Sequence, residues 1–278
     1  RDKPFDVTIT RAIIELPAVK WEVKYRVGII NVNTFNKTTT DSVLAAFTGI
    51  EKSLGGEPLG YILDLRSNPG GLLDEAISLS DAFLEHGEIV SQRGREKSDI
   101  ERYYARPGDA ADGLPVVVLV DAGSASAAEI VAGALQDHHR AVVMGERSFG
   151  KGSVQTLVPL SNETALRLTT ARYYTPSGRS VQEGGIKPDI AVPQLSDPDY
   201  EDRPVFRESD LRRHLVNELK VEDEVIQEDG KPDPRFTATA EELKKKGIED
   251  YQLHYAVQAV ARLAKTQVAA APKKTGTR

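Results

Sequence analysis

The chain has 278 residues, of which 40% are hydrophobic, and its 36 Lys and Arg against 42 Asp and Glu give a net charge of −6. Charges of both signs are spread along the chain, which excludes a basic face for nucleic-acid phosphates, so no nucleic-acid partner is expected. The absence of cysteine excludes disulfides, thiolate nucleophiles and zinc sites built from cysteine.

The first 25 residues predict β structure close to the start of the chain. Residues 5–10 alternate apolar and polar side chains with period two, which indicates a half-buried strand. No positively charged segment leads into an apolar stretch here, so no signal peptide is predicted in this chain. No apolar run in the sequence approaches the roughly 20 residues that cross a bilayer.

The next 120 or so residues alternate short apolar runs with helical patterns. Strands that alternate with helices of this length are typical of βαβ units around a mostly parallel sheet. The predicted fold class is therefore α/β, with a mostly parallel sheet flanked by helices. The predicted strands are residues 27–32, 61–65, 116–120 and 141–145, and the predicted helices begin near Thr40, Asp74 and Ser126.

The remainder of the chain predicts flanking β segments and a helical C-terminal extension. Its last helix carries apolar residues at helical spacing, and the tail beyond it is expected to fray. In chain order, the predictions are strands at residues 166–174 and 190–193, an acidic linker at 194–204, a helix from Ser209 with Leu211, Leu215 and Leu219 on one face, a loop at 222–239 and a helix at 250–263.

Gly70 and Gly71 lie in the first of three turns that each follow a predicted core strand. Ligand crevices of α/β sheets form at such strand ends. Paired glycines let the backbone approach a ligand closely, and their amides could stabilise a negatively charged oxygen. Turn statistics alone favour a tight strand-to-helix turn without a chemical role.

Ser126 lies in the second turn, between two alanines and just before a predicted helix. Small neighbours would expose its hydroxyl, and the amide behind it would point at the same place, which suits a nucleophile with an oxyanion hole. The alternative is a helix N-cap, with Glu129 three positions later as its capping-box partner. Taken alone, the capping interpretation is favoured because such caps are common.

Lys151 lies in the third turn, between Gly150 and Gly152. The glycines would let the lysine enter a tight site without steric hindrance from its neighbours. The turn is not a phosphate-binding loop, because the residue after the lysine is glycine rather than Ser or Thr. A solvated surface lysine is the ordinary alternative.

A serine nucleophile needs a base, and none of the five histidines directly follows a core strand. Lysine can act as the base when burial and its surroundings disfavour the ammonium form. The residues therefore favour a dyad of Ser126 and Lys151.

Four segments in the same order resemble the carboxyl-terminal processing (tail-specific) serine protease family. They are residues 60–71, 123–137, 145–155 and 173–180. The resemblance implies Ser126 as the nucleophile, Lys151 as the general base and Gln155 as the partner that orients the lysine amine.

The resemblance also implies roles for the residues around the dyad. The amide of Ala127 and an amide of either Gly70 or Gly71 would form the oxyanion hole, and Glu129 would support the site. No metal or cofactor is implied. One position departs from the family, because Asp121 stands where Asn is frequent.

The resemblance divides the chain into three parts. Residues 1–25 resemble the end of a PDZ domain with connecting strands, residues 26–193 a protease core of crotonase-like or Clp-protease-like fold, and residues 194–278 an acidic, partly helical C-terminal extension. Protein substrates with exposed apolar C-termini and an exported, for example periplasmic, location are implied. An adaptor protein and a homo-oligomer remain open as partners.

The expected function is a serine endopeptidase that cleaves proteins near their C-termini through Ser126 and Lys151, assisted by Gln155. One alternative is a catalytically silent adaptor that holds peptides in the same groove. The other is a crotonase-like acyl-thioester enzyme, since that superfamily also pairs strand-to-helix turns with an oxyanion hole. Fold alone does not separate the three.

Overall fold

The fold is built on two β-sheets. The structure is a computed structural model, and it describes residues 6–8, 10, 17–96, 98–161, 164–200, 202–212, 214–217, 233 and 235–270. The strands, in chain order, are β1 (Val19–Lys24), β2 (Val27–Val32), β3 (Gly60–Asp64), β4 (Glu88–Arg93), β5 (Ile100–Tyr104), β6 (Val116–Val120), β7 (Val142–Gly145), β8 (Ser153–Pro159), β9 (Ala165–Tyr174) and β10 (Ile190–Ala191). The helices are α1 (Thr39–Leu54), α2 (Leu73–Asp81), α3 (Ala127–Asp137), α4 (Ala240–Lys245) and α5 (Tyr251–Ala270).

The larger sheet has the strand order β1-β2-β3-β6-β7-β10. Strand β1 is antiparallel to β2, and every other neighbouring pair is parallel. All residues of β3 and β6 are buried, as in parallel sheets that are covered on both faces. The predicted α/β class with a mostly parallel sheet is confirmed.

Helices cover both faces of the larger sheet, because alternate residues of its strands face opposite sides. Leu63 and Val118 join a core with α1, α2 and α3. Their neighbours Ile62 and Val117 join a second core with α5. The last helix is thus a layer of the folded core, and it extends to residue 270, beyond the predicted end at residue 263.

The smaller sheet is antiparallel and has the order β5-β4-β9-β8. Sequence patterns did not predict β4 and β5, because neither contains an apolar run of the kind that identifies the core strands. The hairpin of β8 and β9 is exposed over most of its length. Strand β8 begins two residues after Lys151, so the smaller sheet adjoins the third predicted turn.

The predicted helix from Ser209 is wrong. In the described part of this segment only a 3-10 turn forms, at Glu208–Asp210, and Leu211 is 48% exposed, while Leu219 lies outside the described residues. The amide of Glu208 donates to the carbonyl oxygen of Phe149 (3.1 Å). Further along, the Leu215 carbonyl oxygen accepts from Gln182 Nε2 (2.9 Å), and the Asn217 amide donates to Glu183 Oε2 (2.6 Å). Backbone groups that a helix would pair internally are thus bonded to other parts of the chain.

Other predictions concern residues that are only partly described. The strand predicted at residues 5–10, the PDZ remnant at 1–25, the loop at 222–239 and the C-terminal tail lie partly outside the described residues. Among the residues that are described, no helix combines the length and the apolar character that a membrane span requires.

Val260 on α5 tests the packing of this helix against the sheet, because it is fully buried while Val268 on the same helix is 78% exposed. We expect Val260→Ala to lower the free energy of unfolding by about 2 kcal/mol, since it removes buried apolar contact and leaves a cavity. The matched change Val268→Ala should alter it by no more than about 0.5 kcal/mol. Urea denaturation followed by circular dichroism measures both, and equal effects would contradict this packing.

Candidate active site

The candidate site lies where the carboxyl ends of three neighbouring parallel strands meet. Strands β3, β6 and β7 each lead into one of the three turns that the sequence analysis identified. The turns are bonded to each other, because the Ala125 amide donates to the Asn68 carbonyl oxygen (2.9 Å) and the Phe149 amide to the Ser124 carbonyl oxygen (2.9 Å). Their common edge is where ligands bind in sheets of this kind.

Ser126 precedes α3 with a backbone conformation that L-residues rarely adopt, at φ 56° and ψ −113°. Such strain persists only where the surroundings enforce it, and it is concentrated at active sites. Gly70 lies directly beside this turn, since a Cβ on Gly70 would be 2.9 Å from both the Ser126 Cβ and the Ala127 nitrogen. Glycine is therefore required at position 70 for the first two turns to approach each other.

The two glycines of the first turn differ in what their backbone groups bind. The Gly70 amide donates to Asn68 Oδ1 (2.8 Å), and the Gly70 carbonyl oxygen accepts from the Phe35 amide (3.0 Å). The Gly71 amide belongs to the same peptide plane as that carbonyl, so it points the opposite way. Within the described part of the chain it has no hydrogen-bond acceptor.

Glu129, in the first turn of α3, is completely buried and accepts four hydrogen bonds. Its Oε2 accepts from the backbone amides of Ser126 (2.8 Å) and Lys151 (2.9 Å). Its Oε1 accepts from the Ser148 hydroxyl (2.5 Å) and the Gly150 amide (2.7 Å). One carboxylate therefore joins the turn that contains the serine to the turn that contains the lysine.

Burial raises the pKa of the Glu129 carboxyl to about 7, while the four donated hydrogen bonds act in the opposite direction. Part of the capping interpretation is correct, because Glu129 does bond the amide of Ser126 as a capping-box partner would. The two further bonds to Gly150 and Lys151 come from a loop about 20 residues away in sequence, which helix capping does not require.

Lys151 is partly buried, and its flanking glycines fit closely against the neighbouring segment. A Cβ on Gly150, where φ is +93°, would be 2.7 Å from the Glu183 carbonyl oxygen. The Gly152 amide donates to Gln182 Oε1 (3.1 Å). Among the described residues, no hydrogen bond or ion pair is made by Lys151 Nζ, so the amine is available for chemistry.

Gln155 lies on β8 with its side chain exposed. In the described part of the structure it makes no hydrogen bond to the Lys151 amine. Its role in orienting that amine stays a prediction.

Sequence reasoning gave no role to Asn68, which organises the first turn. Asn68 is fully buried, and its Nδ2 donates to the Val32 carbonyl oxygen (2.6 Å) while its Oδ1 binds the Gly70 amide. The Asn-Pro-Gly sequence is itself a turn signature and could have identified it. Asp121 stands where the family frequently has Asn. Its Oδ1 accepts a hydrogen bond from the Ser67 amide (2.7 Å), so Asp121 also joins the first and second turns.

Arg66 was also missed, and it connects the first turn to the C-terminal helix. Its guanidinium pairs with Asp64 (2.7 Å) and with Asp250 (2.7 Å), the residue before α5. These two carboxylates raise the pKa of Arg66 although burial opposes them. No local signal could have revealed this pairing, because Arg66 and Asp250 are 184 residues apart.

No cluster of three or more His, Cys, Asp or Glu side chains suited to a metal ion occurs among the described residues. The chemical groups that the three turns bring together are a serine, a lysine, a glutamate and backbone amides.

Comparisons with known proteins identify relatives of this chain. The model of peptidase family S41 matches residues 26–192. The carboxy-terminal-processing protease of Bartonella bacilliformis is 53% identical over 216 residues, which cover 77% of this chain and 50% of that protein. The carboxyl-terminal-processing protease of Synechocystis sp. is 39% identical over 196 residues, which cover 69% of this chain and 45% of that protein.

Among solved structures, the photosystem II D1 C-terminal processing protease matches with a TM-score of 0.58 and 33% identity, over 66% of this chain and 50% of that one. The chain thus spans about half the length of the relatives it matches. The family match covers more than half of the chain, and it agrees with the resemblance found in the sequence. The chain belongs to peptidase family S41, which includes the carboxy-terminal-processing serine proteases.

Proposed function

We propose that the chain is the catalytic core of a serine endopeptidase that uses Ser126 as nucleophile and Lys151 as general base. The observation that carries this proposal is the shared hydrogen bonding of the Ser126 and Lys151 amides to one oxygen of Glu129. Two residues 25 positions apart in sequence are thereby held at one place in space. A helix cap or a solvated lysine would need no such arrangement.

In the proposed reaction, the neutral amine of Lys151 removes the proton of the Ser126 hydroxyl, and Oγ attacks the scissile carbonyl carbon. The Lys151 ammonium then donates this proton to the leaving amine as the peptide bond breaks. Lys151 next removes a proton from water, whose oxygen attacks the acyl-enzyme ester. As the bond between the acyl carbon and Ser126 Oγ breaks, the Lys151 ammonium returns this proton to Oγ, which regenerates the serine and the neutral amine. The family resemblance supports Gln155 as the residue that orients the lysine amine.

The negative oxygen of the tetrahedral intermediate needs hydrogen-bond donors that do not already bind another acceptor. The Ala127 amide is at the first position of α3, where helix amides have no intrahelical acceptor. Of the two glycines, Gly71 supplies the better donor, because the Gly70 amide is bonded to Asn68. We therefore assign the oxyanion hole to the amides of Ala127 and Gly71. Gly70 has no Cβ and so allows the first turn to lie close to the turn that contains Ser126.

Glu129 acts in this proposal as a positioning residue for both catalytic groups. Its ionised form accepts all four surrounding donors, whereas a protonated carboxyl would present a hydrogen to them. The buried negative charge beside Lys151 also gives the ammonium intermediate a counter-charge nearby.

The names of the relatives support substrates that are cleaved near their C-termini. We propose protein substrates with exposed apolar C-termini and an exported location for the whole protein. An adaptor protein and a homo-oligomer are compatible with this proposal.

Removal of either member of the dyad should abolish cleavage. We expect Ser126→Ala and Lys151→Ala each to lower kcat on a disordered protein substrate by on the order of 10⁴-fold or more, because such residues act as a unit. The measurement is the initial rate of appearance of new C-terminal fragments by mass spectrometry.

The matched controls are Ser98→Ala and Lys52→Ala, which change exposed residues of the same types. Both should retain the activity of the parent chain. A dyad variant that cleaves as fast as these controls would contradict the assignment, and peptide binding by a parent chain that never cleaves would favour the adaptor.

The raised pKa of Glu129 predicts a pH dependence of stability. Between the reference value of 4.5 and about 7, the folded protein holds a proton that the unfolded chain releases. The contribution of this proton to the free energy of unfolding is complete below pH 4.5 and is lost as the pH rises through about 7. We expect Glu129→Gln to remove this slope, as measured by denaturant unfolding at pH 4.5 to 8.

The control for this experiment is Glu57→Gln, at an exposed glutamate. Its profile should follow that of the parent chain. Parallel profiles of the parent and Glu129→Gln across this range would show that Glu129 does not bind a proton on folding.

A further inference from the structure

A segment of the C-terminal part of the chain lies along the turn that contains Lys151. We name this segment, residues 203–212 and 214–217, the strap. The strap begins after residue 192, where the match to the family model ends. The proposed reaction gives it no role, although it is bonded to the turn at several places.

The strap binds consecutive backbone carbonyl groups of the turn. One guanidinium nitrogen of Arg207 donates to the carbonyl oxygens of Arg147 (2.6 Å) and Ser148 (2.9 Å). The Glu208 amide donates to the next carbonyl oxygen, that of Phe149 (3.1 Å). The backbone that leads to the lysine is thus bonded to the strap at three successive residues.

Side-chain pairs attach the two ends of the strap. Arg203 pairs with Glu146 (3.0 Å) at the start of the turn. At the other end, the imidazole of His214 binds the carboxylate of Glu183 (2.6 Å). The Glu183 amide in turn donates to the carbonyl oxygen of Gly150 (2.8 Å). The strap is therefore attached both where the turn begins and directly before the lysine.

Gln182 connects the strap to the residue that follows Lys151. Its side chain is completely buried, and its Oε1 accepts from the Gly152 amide (3.1 Å). Its Nε2 donates to the carbonyl oxygen of Leu215 (2.9 Å) and to Oε1 of Glu208 (3.3 Å), both in the strap. One buried amide group therefore joins the strap to the backbone beside the proposed base.

The glycines on both sides of Lys151 make these bonds necessary. Glycine has the widest choice of backbone conformations, so the local sequence alone does not fix a lysine between two glycines. Glu129 accepts from the amides of Gly150 and Lys151, whereas the Gly152 amide is bonded to Gln182. The backbone after the lysine thus depends on Gln182 for its conformation.

We propose that the strap positions the Lys151 amine toward the Ser126 hydroxyl, with Gln182 and Arg207 as positioning residues. Gln182 acts on the backbone after the lysine, and Arg207 acts on the backbone before it. The proposal rests on the proposed protease function, since both residues act only through the general base. A part of the chain outside the family match thereby sets the reactivity of the serine.

The rate at which a fluorophosphonate labels Ser126 tests this proposal, because the reagent needs an activated serine and no bound peptide. Gln182→Met and Arg207→Met are each made in the parent chain and in Lys151→Ala. We expect each to slow labelling about tenfold or more in the parent chain and less than about twofold in Lys151→Ala. A residue that acts through Lys151 has nothing left to position once the amine is removed.

The matched control is Arg212→Met, at an exposed arginine of the strap, which should be labelled at the parent rate. Arg207→Lys retains a charged donor for the carbonyl oxygens and should keep more of the rate than Arg207→Met. Circular dichroism at the labelling temperature shows whether each chain is folded. Because Arg207 is only partly buried, Arg207→Met tests the proposal even if Gln182→Met fails to fold.

The two backgrounds separate positioning from a general loss of structure. Labelling is compared as a second-order rate constant, with a higher reagent concentration for the slow Lys151→Ala chains. A structural defect unrelated to the lysine would slow labelling by the same factor in both backgrounds. Equal slowing of this kind, or no slowing in the parent chain, would overturn the proposal.

Failure of the proposed function gives a different result. If Lys151→Ala alone is labelled as fast as the parent chain, the dyad itself is contradicted. If Lys151→Ala slows labelling while Gln182→Met and Arg207→Met do not, the dyad is supported and only the role of the strap is rejected.

Discussion

The carboxylate of Glu129 is the interaction on which the arrangement of the site depends. A buried negative charge is costly unless it is hydrogen-bonded, and here four donors surround it. Two of the donors are the amides of Ser126 and Lys151, so the same bonds that compensate the charge also fix the two candidate catalytic residues. Stability and catalytic geometry are therefore coupled through one side chain.

The rest of the fold brings the necessary chain segments to this carboxylate. Parallel strands end at one edge of the sheet, and glycines at positions 70, 150 and 152 allow backbones to approach where a side chain would collide. Asn68 fixes the first turn from within, and the pairing of Arg66 with Asp250 fixes it from the C-terminal helix. The helix that completes the second face of the sheet thus also contacts the loop that leads to the proposed oxyanion hole.

Local patterns in the sequence were sufficient for the central part of the fold. Strand β6 is a run of five apolar residues, and α3 begins directly after the predicted serine, because both features depend on neighbouring residues alone. The sequence also predicts a dyad of Ser126 and Lys151, although either residue alone favoured an ordinary interpretation, and this dyad stays a proposal. The combination of several turns in one order, rather than any single motif, supported the protease.

Features that depend on distant partners could not be predicted in this way. The bonds of Glu129 to Gly150 and Lys151, and those of Arg66 to Asp250, join residues from about 20 to 184 positions apart. The helix predicted from Ser209 was wrong for the same reason, because the Leu215 carbonyl oxygen and the Asn217 amide bond to Gln182 and Glu183 instead of to helix neighbours. Strands β4 and β5 were missed because their stability comes from pairing in the sheet rather than from an apolar run.

In the proposed function, Ser126 is an activated nucleophile because Lys151 is held beside it. The most direct measurement is the rate at which a fluorophosphonate labels the chain, followed by peptide mapping in a mass spectrometer. We expect one adduct, on the Ser126 oxygen, and a much slower rate of labelling in Lys151→Ala. Labelling of a different serine, or an unchanged rate in Lys151→Ala, would contradict it.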